Sequence, residues 1–225
     1  MCGRFVQLPL RFPGDLSAPH LASELANLMP RYNLAPTQRA AVILDNDDQL
    51  AVRRLRWGLL PFWVKDLKQA YSTFNARIET VATKPAFRAA FKARRCIIPM
   101  AGYYEWRQVG KVKQPYFIAR ADGHDLFVAG LWEPRHPLQD DDEAGSCTVI
   151  TTVSDGEAAT IHDRMPVFIP ADLVEEYLRA TPDEAMALMM AAPVPDLMVR
   201  PVSRRVNAAR DDDPGLLEPF RPPEE

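Results

Sequence analysis

Cysteine is scarce in this chain, long apolar runs are missing, and the net charge is close to zero. The three cysteines, Cys2, Cys96 and Cys147, are odd in number and irregularly spaced, which argues against a disulfide framework. With no Cys-x-x-Cys pair there is no zinc signature, and neither a metal nor a cofactor is expected. No segment approaches the ~20 apolar residues of a membrane span, and the first residues carry no basic-then-apolar leader. The default expectation is a cytoplasmic protein with no membrane role. No internal repeat is visible. The net charge of −3 divides unevenly. Residues 208–225 hold six acids against two arginines, a net of −4, so the rest of the chain is +1. Setting aside Asp140, Asp141, Asp142 and Glu143 leaves a mildly basic body of +5, compatible with nucleic acid without requiring it.

What is present points to a single domain. The 225 residues can bury a real core, and 47% hydrophobic with 25% charged residues is ordinary for a globular chain. Residues 50–57 alternate partly, residues 114–120, 125–132 and 146–153 are rich in β-branched and aromatic side chains, and all four read as strands, with 165–169 a further short one. Helical patterns fall at 20–29, 84–95, 171–180 and 182–191. The last opens on Thr181-Pro182-Asp183-Glu184: a cap, a proline at the first position and acids in the first turn. Strands without βαβ alternation predict an α+β domain with a mainly antiparallel, barrel-like sheet flanked by helices. Its bounds are set at 1–207. The acidic, proline-rich tail 208–225 is expected to lack regular structure, although Leu216, Leu217 and Phe220 offer apolar anchors. The acidic run at 139–145 reads as a solvated loop between two strands.

Cys96 and Cys147 sit in apolar runs and read as inert buried thiols. Cys2 has no core pattern around it. Loss of Met1 would leave its thiol beside a free α-amine, a 1,2-aminothiol. Such a pair condenses with an aldehyde to an imine, and the thiol then closes a thiazolidine ring. The amine titrates near ~7.7–8.0 and the thiol near ~8.5, so both nucleophiles are accessible at neutral pH. The alternative is an incidental residue at a frayed terminus. Residues 74–80 gather polar and charged groups around Asn75, Arg77 and Glu79. Glu105 lies among Tyr103, Tyr104 and Trp106, surroundings that raise a carboxyl's pKa and suit it to proton transfer. Its alternative role is as a partner for an arginine. His162 stands in a polar turn, with structure and chemistry equally open. His20, His124 and His136 read as surface residues.

Together these segments resemble one family. Met-Cys-Gly-Arg-Phe at 1–5, Arg-Tyr-Asn-Leu-Ala-Pro-Thr at 31–37 and Trp-Gly-Leu-Leu-Pro-Phe-Trp at 57–63 are similar to SRAP proteins (SOS-response-associated peptidases, or abasic-site processing proteins). So are Asn-Ala-Arg-Ile-Glu-Thr at 75–80, Arg-Arg-Cys-Ile-Ile-Pro at 94–99, Gly-Tyr-Tyr-Glu-Trp at 102–106 and Ile-His-Asp-Arg-Met-Pro at 161–166. The resemblance implies a compact β-barrel-like fold with a basic cleft for single-stranded DNA. The implied substrate is the ring-opened aldehyde of an abasic deoxyribose. Cys2 then matches the residue that forms the thiazolidine, and Asn75 the residue that positions it and the sugar. Glu105 matches the proton-transfer group. His162 matches a group that promotes ring opening and Schiff-base chemistry and assists reversal.

A single strand that lacks a base offers phosphates and neighbouring bases for recognition. Arg4, Asn33, Arg77 and Arg164 are the expected phosphate or sugar ligands. Arg77 and Arg164 have an alternative role in bracing Glu79 or Glu105. Trp57 and Trp63 are expected to stack on bases, with core packing the alternative for Trp57 beside Gly58. Trp106 is placed in the core behind Glu105. Two competing functions remain: a thiol autopeptidase using Cys2 and His162, and a non-covalent sensor of damaged single strands. The expected working form is a monomer, associated with the nucleoid when bound to DNA.

Overall fold

The computed structural model describes residues 2–10, 19–46, 49–67, 72–140, 142 and 144–220. In chain order the strands are β1 (Arg4–Gln7), β2 (Arg31–Leu34), β3 (Arg39–Asn46), β4 (Gln49–Trp57), β5 (Asn75–Arg77) and β6 (Arg95–Met100). They continue with β7 (Gly102–Val109), β8 (Val112–Arg120), β9 (Leu126–Pro134), β10 (Gly145–Val153), β11 (Arg164–Pro166) and β12 (Leu197–Pro201). The α-helices are α1 (Ala22–Ala26), α2 (Arg88–Ala93), α3 (Val174–Arg179) and α4 (Pro182–Ala191). None of the described helices is long and apolar enough to cross a membrane.

Two sheets result. One is wholly antiparallel, in the order β12-β8-β7-β1-β2. In the other, β10 meets β9 along one edge and β4 along the other. The pairings β10–β4–β3–β6–β9 therefore return to β10 and give the expected barrel-like sheet. Its two parallel contacts, β10 with β4 and with β5, fall one after the other along β10.

Strands β3, β6, β9 and β10 of the closed sheet are buried on both faces along most of their length, which explains their largely continuous apolar runs. In β3, Ala41 and Ile43 face a core shared with the helices, while Ala40, Val42 and Leu44 face a second core against the five-stranded sheet. The same division separates Ile97 from Cys96 and Ile98 in β6, and Phe127 and Ala129 from Leu126 and Val128 in β9. The period of two sorts residues between two cores rather than between core and solvent.

Of the expected helices, α4 matches its range, and the Thr181–Glu184 capping box with Pro182 at its start explains why. The other three are shorter. Residues 20–29 give a 3-10 turn (Pro19–Leu21) and then α1, and 171–180 give a 3-10 turn (Ala171–Leu173) and then α3. Residues 84–95 give only α2, preceded by a turn in which Lys84 O accepts from Phe87 N and Arg88 N. The tail departs from expectation too. Residues 208–220 pack on the body, with a 3-10 turn at Pro214–Leu217 and Leu216 fully buried. Of the acidic loop, Asp142 pairs with Arg39 at 2.7 Å; Asp141, Glu143 and the last five residues of the tail lie outside the described residues.

Gly130 of β9 shows how closely the closed sheet is packed. A Cβ there would stand 2.7 Å from Thr148 O and 3.0 Å from Cys96 Sγ. Since the nearer atom is backbone, Gly130→Ala is expected to cost about 1–3 kcal/mol in urea unfolding. An unchanged midpoint would show that the sheet can give way at this point.

Candidate active site around Cys2

Cys2 and Gly3 precede β1 and so stand outside its ladder, in which Arg4 pairs with Tyr104 of β7. Cys2 is nevertheless fully buried, in the core that contains Phe5, Trp57 and Tyr103. Its backbone carbonyl accepts a hydrogen bond from Asn75 Nδ2 at 2.7 Å. Its thiol makes a weak donor contact of 3.8 Å to Arg4 O. Asn75 opens β5 and is fixed by pairing with Val149 of β10. Its Oδ1 is buried with no hydrogen-bond partner among the described residues.

Glu105 lies in β7 just past the start of β1 and is buried. Burial raises its carboxyl above the ordinary 4.5, and an electrostatic interaction with His162 partly offsets that rise. Burial likewise raises the Cys2 thiol, and Glu105's negative charge raises it further. Cys2, Glu105 and His162 thus form one electrostatic neighbourhood built from three separate segments. The His162 side chain is partly exposed, and Nδ1 accepts Arg164 N–H at 3.0 Å, which leaves the neutral ring's proton on Nε2. Asp163 Oδ1 lies 2.8 Å from the same Nδ1. Cys96 and Cys147 are buried as expected; burial pushes Cys147 up to about 12 and Cys96 well above its ordinary value.

The residues expected to bind DNA separate into several roles. Arg77 is exposed and lines a cleft of about 500 Å³ with Ser72, Asn75, Thr80, Thr83 and Lys84. Trp63 is 47% exposed and lines an adjoining cavity of about 330 Å³ that shares Ser72, Lys84 and Phe87 with the first. Arg164 makes a two-pronged bond to Glu79, at 2.6 and 2.9 Å, and also donates to Thr151 O at 2.7 Å. It follows the bracing alternative, toward Glu79, whose carboxyl that bond lowers. Arg4 is partly buried and donates to Gly3 O at 3.3 Å and Asn207 O at 3.4 Å.

Four expectations are corrected. Asn33 is fully buried, and its Nδ2 donates to the carbonyls of Val206, Ala208 and Asp211, leaving no surface for a phosphate. Trp57 is core: its Nε1 donates to Phe74 O at 2.8 Å, and its ring meets Phe5 edge-on at 4.8 Å. Trp106 is only half-buried and donates to Asn207 Oδ1 at 2.8 Å. His136 also differs: it is buried, and Nε2 lies 3.3 Å from Phe62 O. That contact holds the loop on which Phe62 stands 81% exposed. Phe62 and Lys84 were missed by sequence reasoning. Each adjoins a proline (Pro61, Pro85), a local sign of a chain turned outward.

Glu105 predicts a pH effect on stability. Because its folded-state value is raised, the folded protein holds this proton more tightly than the unfolded chain. Stability is therefore lost as pH rises from about 4.5 through the folded value. Glu105→Gln removes that titration. Its stability relative to wild type is expected to increase as pH rises from about 4.5 toward the raised folded-state value, read by urea unfolding at each pH. A difference independent of pH would rule out a raised Glu105.

Known proteins provide a further comparison. The family model described as SOS response associated peptidase (SRAP) matches residues 1–209. The abasic site processing protein YoqW of Bacillus subtilis (strain 168) is 34% identical over 224 residues, covering 97% of this chain and 99% of that protein. The abasic site processing protein YedK of Escherichia coli (strain K12) is 31% identical over 230 residues, covering 97% of this chain and 100% of its own. An X-ray structure of a Bacteroides thetaiotaomicron protein has the same fold, with a TM-score of 0.78 at 22% identity, covering 98% of this chain and 100% of that one. With the family model matching nearly the whole chain and these relatives matching along their full length, the chain belongs to the SRAP family.

Proposed function

We propose that this protein captures abasic sites in single-stranded DNA by forming a thiazolidine between Cys2 and the opened sugar, after removal of Met1. The observation that carries the reading is the 2.7 Å bond from Asn75 to the Cys2 carbonyl, with buried Glu105 beside it. The Cys2 amine adds to the aldehyde carbon, and loss of water, with a proton supplied by Glu105, leaves an imine. The thiol sulfur then bonds to the imine carbon, and its proton passes to the nitrogen. The products are one thiazolidine and one water. The sulfur attacks the sugar carbon already bonded to the nitrogen of the same cysteine, an intramolecular closure for which a thiol held protonated by burial suffices. His162 assists opening of the sugar ring. The names of the bacterial relatives support the same substrate. An autopeptidase would need a thiolate activated by histidine; burial raises this thiol, and its hydrogen bond runs to a backbone carbonyl.

The single strand follows the joined cavities from Asn75 and Arg77 past Lys84 to Trp63. A third cavity of about 140 Å³, sharing Pro61, Trp63 and Ala86, continues the path to Phe62 and Arg88. Phosphates meet the cations and bases stack on the exposed rings. Arg77→Ala and Lys84→Ala should each reduce the slope of log affinity against log salt by roughly 0.7. Unchanged slopes in both variants would move the strand elsewhere. Arg164→Ala should instead lower stability, because it leaves Glu79 unpaired.

The covalent step is tested with an abasic oligonucleotide and denaturing electrophoresis. Wild type should give a stable adduct and protect the strand. Cys2→Ala, once Met1 is lost, should give an adduct only when borohydride reduces the imine, and should nick the DNA more. Inserting alanine between Met1 and Cys2 separates thiol from free amine and should abolish the stable adduct. Crosslinking by the insertion variant at the wild-type rate would sink the thiazolidine mechanism.

A further inference from the structure

Past β12 the chain crosses the five-stranded sheet from one edge to the other. It leaves beside β8, where Val202 N donates to Pro115 O at 3.1 Å and Gln114 Nε2 donates to Val202 O at 2.8 Å. At β7, Asn207 Oδ1 accepts the Trp106 indole N–H at 2.8 Å. At β1, the Asn207 carbonyl accepts from Arg4 at 3.4 Å. On the far edge strand, β2, Asp212 Oδ1 accepts the backbone N–H groups of Tyr32 and Asn33, and Oδ2 accepts Arg31 Nε–H. Asn33 returns bonds to the carbonyls of Val206, Ala208 and Asp211. A small core of Val6, Tyr104, Phe117, Val202 and Val206 lies beneath.

The geometry points to this strap as a working part of the reactive site, with Asn207 as a positioning residue for both Cys2 and Glu105. Asn207 is reached by Arg4, whose other bond holds the carbonyl of Gly3, the residue joined to Cys2. It is also reached by Trp106, the residue joined to Glu105. One residue thus steadies the nucleophile's segment and the proton carrier's segment together. The sheet alone cannot do this for Cys2, because the ladder begins at Arg4. Ring closure depends on sub-ångström placement, and an error of about 1 Å costs on the order of a hundredfold in rate. Asp212 anchors the strap's far end with bonds from two backbone N–H groups and one guanidinium.

This inference rests on the covalent capture proposed above. The test uses the full chain with Asn207→Ala and Asn207→Asp, measuring single-turnover adduct formation at saturating abasic oligonucleotide, affinity for undamaged strand, and melting temperature. Asn207→Ala should slow the saturated step by roughly tenfold or more, with affinity and melting close to wild type. Asn207→Asp keeps an oxygen for the indole N–H and should restore most of the rate. A wild-type rate in Asn207→Ala overturns the proposal; so does equal slowing in both variants that follows a fall in melting temperature. Alkylation of Cys2 by iodoacetamide, read by peptide mass, gives a separate measure. Asn207→Ala keeps the carbonyl that Arg4 reaches but frees the strap from Trp106, so it should speed alkylation, and an unchanged rate counts against the strap even if wild type forms no adduct. Failure of wild type itself to crosslink refutes the covalent reading instead.

Discussion

The hydrogen bond from Asn75 Nδ2 to the Cys2 carbonyl is the constraint on which the site depends. A strand of four residues beginning at Arg4 would ordinarily leave the two residues before it frayed. Asn75 prevents that from a firm base. Its strand lies parallel to β10, Phe74 O accepts both Val149 N and Trp57 Nε1, and Trp57 packs on Phe5 of β1. The handle is also chemically apt. By holding the carbonyl, Asn75 fixes Cys2 without engaging its nitrogen or its sulfur.

Burial then determines where protons reside. All three cysteines are buried, and burial raises all three thiols, so acidity does not set Cys2 apart. A protonated, enclosed thiol resists oxidation and metal capture. What distinguishes Cys2 is its company: a backbone nitrogen that becomes an amine once Met1 is lost, the carboxyl of Glu105, and the Asn75 tether. The same burial that quiets the thiol raises Glu105, so the group able to give and take a proton stands beside the residue that needs it.

The sequence was readable where local chemistry decides and opaque where the tertiary partner decides. Thr181, Pro182 and Glu184 identify α4 because a capping box is complete within four residues. The barrel-like sheet was legible as a class, but β3 and β6 show no alternation of polar and apolar residues, since both of their faces are buried. Asn33 shares a motif with surface-type neighbours, and nothing local reveals that its amide turns inward to three carbonyls more than 170 residues away. Composition misled at the tail for a related reason. Asp212 and Asp213 look like solvated acids, yet they accept N–H groups of Tyr32, Asn33 and Gly215 and pair with Arg31 and Arg205. For Arg164, both alternatives were visible in advance; choosing between them required the position of Glu79.

The same partnerships explain why a net charge of −3 does not oppose a nucleic-acid cleft. Asp142, Asp212 and Asp213 are engaged with Arg39, Arg31 and Arg205, so the acidic stretches spend much of their charge locally. Screening confines the field of the remaining exposed charges to about 10 Å, so the potential over the cleft follows its own lining. Beside Asn75 that lining contains Arg77 and Lys84 without a carboxylate, and farther along Glu133 is paired with Arg94. A few cations give modest affinity, and under the proposed reaction modest affinity is enough. An abasic nucleotide has no base to be read, so discrimination passes to the one group that intact DNA lacks, its aldehyde. Binding need only hold the strand until Cys2 meets that carbon, after which the covalent bond supplies both selectivity and persistence.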